Sequence, residues 1–261
     1  MHILVTNDDG VQAPGLLALA QELRILGKVT VFAPDRNWSA SGHVKTMDRP
    51  LRAREVVLAD GTTALATDGA PSDSVALALL GVVKEKIDLV VSGINPHENI
   101  GHDVTYSGTV TAAMEAVIGG VPGIAISLFS PEEFQGRLDY DPAARVARRV
   151  AEKVMAEGLP GGVLLNVNVP YLKENELKGF MVTCQGLRVY RDELDARKDP
   201  RGKPYYWIGG KFPIGILEEG TDYSAIMDGY VSITPLQLDL TARQAMDVLK
   251  KWEWGTGNRE L

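Results

Sequence analysis

Short apolar runs alternate with stretches of helical texture along the first two thirds of the chain. Ile3 to Thr6 opens the pattern, and a predicted helix from Pro14 to Leu26 follows, with Pro at its start and Gly27 just past its end. Val29 to Ala33 is a second strand and runs into a polar loop from Pro34 to Gly42. Leu51 to Thr67 holds two β-rich runs around Asp60-Gly61, a hairpin signal. A short helix is predicted near Ser72 to Leu80, a third buried run at Ile87 to Ser92, and a helix from Ser107 to Ile118 that stops at Gly119-Gly120. A strand at Gly123 to Phe129, a helix around Pro142 to Glu157 and a strand at Val163 to Val169 complete the alternation.

Strand and helix in turn predict an α/β fold with a mostly parallel sheet covered on both faces. The runs are too short to span a membrane. From about Tyr171 the texture changes: Tyr190, Tyr205, Tyr206 and Trp207 cluster, Gly and Pro are frequent, and strand-like pieces such as Tyr230 to Thr234 precede a predicted helix near Thr241 to Trp252. The division is therefore an α/β region over 1–170 and a β-rich extension with a terminal helix over 171–261. The polar-aromatic mixture of the extension suits a subunit contact.

Composition narrows the picture further. A net charge of -7 argues against a nucleic-acid polymer as partner, and one cysteine, Cys184, excludes a disulfide framework or a cysteine-rich zinc site. No secretory signal is evident at Met1 to Val5, so a soluble, cytoplasmic protein without a membrane partner is expected.

In open parallel sheets, ligands bind beyond the carboxyl ends of the strands. Asn7, Asp8 and Asp9 follow the first strand. Asp35, Arg36, Asn37, Ser39, Ser41 and His43 follow the second, and Ser92-Gly93-Ile94-Asn95, then Asn99 and Asp103, follow the third buried run. Adjacent carboxylates raise each other's pKa unless a positive charge is near. An oxygen-rich set of this kind suits Mg²⁺, Mn²⁺ or Ca²⁺. Taken alone, Asp9-Gly10 is also ordinary turn chemistry. Ser107-Gly108-Thr109 opens a helix whose first-turn N–H groups can hold an anion, although the same residues make an ordinary N-cap. A cation facing an anion-binding helix start is what phosphoryl transfer needs. His43 can serve as proton donor to a leaving group or as a plain hydrogen-bonding residue. The dinucleotide, P-loop and nucleophile-elbow fingerprints are missing from the sequence.

Asn7-Asp8-Asp9-Gly10, Ala33-Pro34-Asp35-Arg36-Asn37, Ser92-Gly93-Ile94-Asn95 and Tyr106-Ser107-Gly108-Thr109-Val110 together resemble the SurE (survival protein E) family of metal-dependent 5′-nucleotidases. The likeness runs on through Leu165 to Pro170, Asp199-Pro200-Arg201-Gly202 with Tyr205-Tyr206-Trp207, and Asp222 to Ser232. The resemblance implies a Rossmann-like three-layer fold whose catalytic α/β region, 1–170, is continuous with the extension as one domain. It implies hydrolysis of nucleoside 5′-monophosphates, with 3′-monophosphates as a further substrate class, by a water activated on one divalent cation per subunit. It implies metal ligands at Asp8, Asp9, Ser39 and Asn95 and a phosphate side at Asn95, Ser107, Gly108 and Thr109. In the expected mechanism Asp8 or His43 handles the protons, a choice the sequence leaves open. The resemblance also implies a homodimer or homotetramer built by exchange of the C-terminal extension. His97, Cys184 and Val44 depart from the family's usual residues, Gly, a basic residue and Ser. A receiver-like phospho-acceptor module is the alternative from another class, and a metal-using glycosyltransferase a more distant one.

Overall fold

The computed structural model describes residues 1–131, 134 and 136–252. Its strands are β1 (His2–Thr6), β2 (Lys28–Pro34), β3 (Ala53–Val57), β4 (Thr63–Thr67), β5 (Leu89–Asn95), β6 (Gly123–Phe129), β7 (Val163–Pro170), β8 (Phe180–Val182), β9 (Arg188–Lys198), β10 (Pro204–Gly215) and β11 (Val231–Gln237). The α-helices are α1 (Pro14–Leu23), α2 (Pro71–Leu77), α3 (Gly108–Ile118), α4 (Asp141–Glu157), α5 (Asp222–Met227) and α6 (Arg243–Leu249).

Nine strands form one sheet in the order β3-β4-β2-β1-β5-β6-β7-β11-β8. β4, β2, β1, β5, β6 and β7 run parallel, as the strand–helix alternation requires. β3 returns antiparallel on β4, the hairpin expected around Asp60-Gly61. The apolar side chains sort by the two-residue strand period. Ile3 and Val5 pack with α1 and α4 on one face, whereas Leu4, Phe32 and Val90 pack with α2 and α3 on the other. These are the three layers.

The C-terminal part is more integrated than its change of texture suggests. β11 lies antiparallel on β7 and β8 parallel on β11, so the central sheet continues past residue 170. Among the described residues, β9 and β10 pair only with each other, as a long antiparallel ribbon. Its outer part carries exposed Leu194, Tyr206, Trp207 and Ile208. α5 is too short to show a helical period in the sequence; Thr221 caps it by accepting from the Ser224 N–H at 3.4 Å. Residues 253–261 of the expected extension lie outside the described residues.

Candidate active site

β2, β1 and β5 are adjacent, so their carboxyl ends present three loops side by side. The turn after β1 is closed by Asn7, whose amide oxygen accepts from the Gly10 N–H at 3.2 Å while its Nδ2 donates to the Gly10 carbonyl at 3.1 Å. Gly10 takes φ 103°, which a residue with a Cβ rarely adopts. This knot holds the two intervening carboxylates at the strand end.

Asp8 is 4% exposed and accepts from the Thr109 hydroxyl at 2.5 Å. Burial pushes its carboxyl above the usual range, and the Thr109 hydroxyl and main-chain N–H pull it back only in part. Gly108 permits this approach: a Cβ there would stand 2.7 Å from the Asp8 Cβ and 3.1 Å from Pro71 Cγ. Asp9 is half-buried, and burial with the Asp8 charge beside it raises its carboxyl to about 7. Tyr140, at the start of α4, is near enough to both Asp9 and Tyr171 for their negative charge to add to burial in pushing its phenol up to about 12. Among the described residues, neither Asp8 nor Asp9 has an ion-pair partner.

The loop after β2 is tied to this turn through the Trp38 N–H, which donates to the Asp8 carbonyl at 2.7 Å. Ser39 follows on the exposed side, its N–H held by Asn37 Oδ1 at 2.7 Å. Ala40 next to it takes φ 56°, a left-handed conformation uncommon for a residue with a Cβ. At the end of β5 the register against β6 slips between Ser92 and Asn95, and the irregularity re-aims the strand end. Asn95 Nδ2 donates to the His97 carbonyl at 2.6 Å, which leaves its amide oxygen free to act as a ligand.

Asp8, Asp9, Ser39 and Asn95 thus come to three neighbouring strand ends, and their donor chemistry fits a hard divalent cation. Among the described residues no group of three or more His, Cys, Asp or Glu side chains could hold a metal, so such an ion depends on the amide and hydroxyl oxygens as well as the two carboxylates. Two orphaned hydroxyls support a polar ligand here. Thr6 and Ser92 are paired across β1 and β5, fully buried, and their hydroxyls have no hydrogen-bond partner among the described residues. They lie on the α3 side of the sheet, one strand repeat below Asp8.

The helix-start residues are placed differently from one another. Ser107 caps α3 by accepting from the Val110 N–H at 3.1 Å. Gly108 abuts Asp8, and Thr109 is fully buried against the same carboxylate. His43 follows Gly42, whose N–H donates to the Tyr106 carbonyl at 2.9 Å just before α3; the His43 Nε2 lies 3.0 Å from Glu115 Oε2, and Lys45 Nζ is 3.3 Å from Glu115 Oε1. Glu115 is seven residues beyond Gly108 on α3, about 10 Å along the axis at 1.5 Å per residue. Asp35 faces Arg36 and Arg54 at 3.7 and 3.8 Å, away from the carboxylate pair's hydrogen bonds.

Sequence reasoning missed what fixes the segment after Asn95. Asn168 accepts from the Asn99 N–H at 2.8 Å and, with Asn166, donates to the Asn99 carbonyl at 3.0 and 2.7 Å. The signal was visible in β7: two amides two residues apart, on one face of an otherwise apolar strand. Asp222 continues the hold, accepting from the Gly101 and Gly186 N–H groups at 2.9 and 2.8 Å. Arg188 of β9 closes it, donating to Glu98 and the Pro213 carbonyl at 2.9 Å each and to Asp103, which also accepts from the Tyr190 hydroxyl. Of the departures noted above, Cys184 is exposed and free, and Val44 accepts from the Ser72 hydroxyl through its carbonyl.

With this geometry established, comparison with known proteins gives a consistent result. The family profile described as survival protein SurE matches residues 3–192. A protein named 5′-nucleotidase SurE from Chloroflexus aggregans is 52% identical over 254 residues, covering 97% of this chain and 100% of its own. Its namesake from Herpetosiphon aurantiacus is 54% identical over 241 residues, 92% of this chain and 94% of its own. The crystal structure of the SurE protein from Aquifex aeolicus superposes with a TM-score of 0.80 at 42% identity, covering 96% of this chain and 98% of that one.

Proposed function

The chain belongs to the survival protein SurE family, and we propose that it is a 5′-nucleotidase hydrolysing nucleoside monophosphates to nucleoside and phosphate with a divalent cation. The observation that carries this is the adjacent pair Asp8 and Asp9, without a positive partner among the described residues, set against the start of α3. Relatives named 5′-nucleotidase supply the substrate class.

Asp8, Asp9, Ser39 and Asn95 would hold the cation. Bound there, it would neutralise phosphate charge and lower the pKa of a water ligand. Thr109 fixes one rotamer of Asp8, so that ligand is oriented before substrate arrives. Ser107, Gly108 and Thr109 bring the positive end of the α3 dipole beside the same place, which favours the phosphate as well as Asp8. Asn95 comes from the end of the neighbouring strand β5, and its amide nitrogen, not its oxygen, is taken by the bond to the His97 carbonyl. His43, bonded through Nε2 to Glu115, helps anchor the loop that carries Ser39 and would be the candidate proton donor to the leaving group. The receiver-like alternative loses ground because an amide, Asn95, stands at the end of β5 and cannot accept a phosphoryl group as a carboxylate does.

Among the described residues no helix is long and apolar enough to cross a membrane. An exposed free Cys184 suits a reducing compartment, and the reading places the enzyme in the cytoplasm. The isolated β9–β10 ribbon, with Trp207 63% exposed, suits exchange between subunits of a homodimer or homotetramer. Phosphate release from AMP or GMP tests the activity. Full turnover in Asp8→Asn and Asp9→Asn variants would contradict the assignment of those residues.

A further inference from the structure

A cavity of about 570 Å³ opens beside the segment that follows Asn95, a volume within the range of small-molecule sites. Its lining includes His97, Phe129 and Pro170, at or just beyond the carboxyl ends of β5, β6 and β7, and the His97 carbonyl accepts from Asn95. It therefore opens on the same sheet edge as the carboxylate pair, with β6 two strands, about 10 Å, from β1. That separation suits a nucleotide with its phosphate at the Asp8–Asp9 end and its base in this space.

The walls and the far end differ in chemistry. Phe129, Tyr171, Leu172 and Ile214 offer flat or aliphatic surface, suited to both faces of a planar ring. The polar end is Glu98, Asp103 and Arg188, two carboxylates against one guanidinium. That excess of negative charge disfavours a phosphate there and so sets which way round a nucleotide lies. Asp103 is occupied by Arg188 and Tyr190. Glu98, with its side chain 12% exposed, gives only Oε1 to Arg188 and keeps acceptor capacity for a ligand.

We propose that this cavity is the nucleobase pocket and that Glu98 selects bases with an exocyclic amino group, guanine foremost, by accepting hydrogen bonds from their polar edge. Guanine presents its N2 amino group and the adjacent ring N1–H side by side, and reading a base by its pairing edge while stacking it on apolar walls is a general solution. Glu98 is a specificity-determining residue in this assignment and takes no part in breaking the phosphate ester. The inference rests on the nucleotidase reading for its ligand class, and free nucleosides separate the two.

Calorimetric titration of the full-length protein with guanosine and with inosine, which lacks only the amino group, provides the test. Guanosine binds about tenfold tighter than inosine, the difference expected for a hydrogen bond to a charged acceptor, and Glu98→Gln brings the two within about twofold. Equal affinities in the native protein, a ratio unchanged in Glu98→Gln, or no binding of either nucleoside overturns the assignment. Should Glu98→Gln fail to fold, Leu172→Trp narrows the cavity at a position already 37% exposed. It weakens both nucleosides about fivefold or more, as expected where a wall is overfilled, and undiminished binding overturns the pocket. Guanosine binding with discrimination but no phosphate released from GMP supports the pocket and counts against the hydrolase. Phosphate released from GMP and IMP with equal kcat/KM, and no discrimination between the nucleosides, does the reverse.

Discussion

Thr109 donates its hydroxyl to the Asp8 carboxylate over 2.5 Å, joining the first turn of α3 to the end of β1. The two residues are 101 positions apart in the chain, and both are buried. The bond makes the helix start serve a carboxylate first, and through it the cation that carboxylate would hold.

Thr109→Val keeps the shape of the side chain and removes the donor. Asp8 then has one hydrogen bond fewer to its buried carboxylate, which costs about 1–3 kcal/mol of stability. Its orientation loosens, and kcat/KM falls about 10–100-fold, the usual loss for a residue that supports a metal ligand. Urea unfolding and phosphate-release kinetics measure the two effects. Native turnover in Thr109→Val would show that the bond does not position Asp8.

Asp9 carries a pH signature. Its carboxyl stands at about 7 when folded against 3.8 for the unconstrained group. Between those values the folded protein holds a proton that the unfolded chain has released. The cation-free protein therefore has this contribution in full below pH 3.8 and loses it as pH rises through about 7. A cation takes the place of the proton, so the rise in Tm on adding Mn²⁺ is larger at about pH 8 than at about pH 5.5. Thermal melts at both values, with and without Mn²⁺, check the sign; a larger rise at the lower pH would contradict it.

The hold of β7 on Asn99 predicts a further effect. In Asn168→Leu the Asn99 N–H loses its acceptor, while Asn166 still serves the Asn99 carbonyl. One buried donor left unpaired costs about 1–3 kcal/mol. The segment from Pro96 to Gly101 also loosens beside Asn95, so activity falls with stability. Unchanged unfolding in urea would mean that the network is dispensable.

The parts legible in the sequence are those with local causes. Ile3 to Thr6 and Gly123 to Phe129 are apolar runs bounded by turn residues, and β1 and β6 stand where these runs predict. Asp8 and Asp9 stand out because two carboxylates follow a buried strand directly. Thr109 reads only as a first-turn residue, since nothing nearby in the chain reveals a partner on β1. The same holds for Arg188, whose partners Glu98 and Asp103 lie 90 and 85 residues away. The joining of β11 to β7 was hidden because strand order is a matter of which edge remains free, and the local pattern of Val231 to Gln237 carries no record of it.

Phosphate release from GMP, followed in the purified protein after EDTA treatment and again after restoring Mg²⁺, Mn²⁺ or Co²⁺, tests most directly the claim that Asp8 and Asp9 anchor a catalytic cation. The account predicts that release stops on chelation and returns with at least one of the three ions. Release that continues undiminished in EDTA would contradict it.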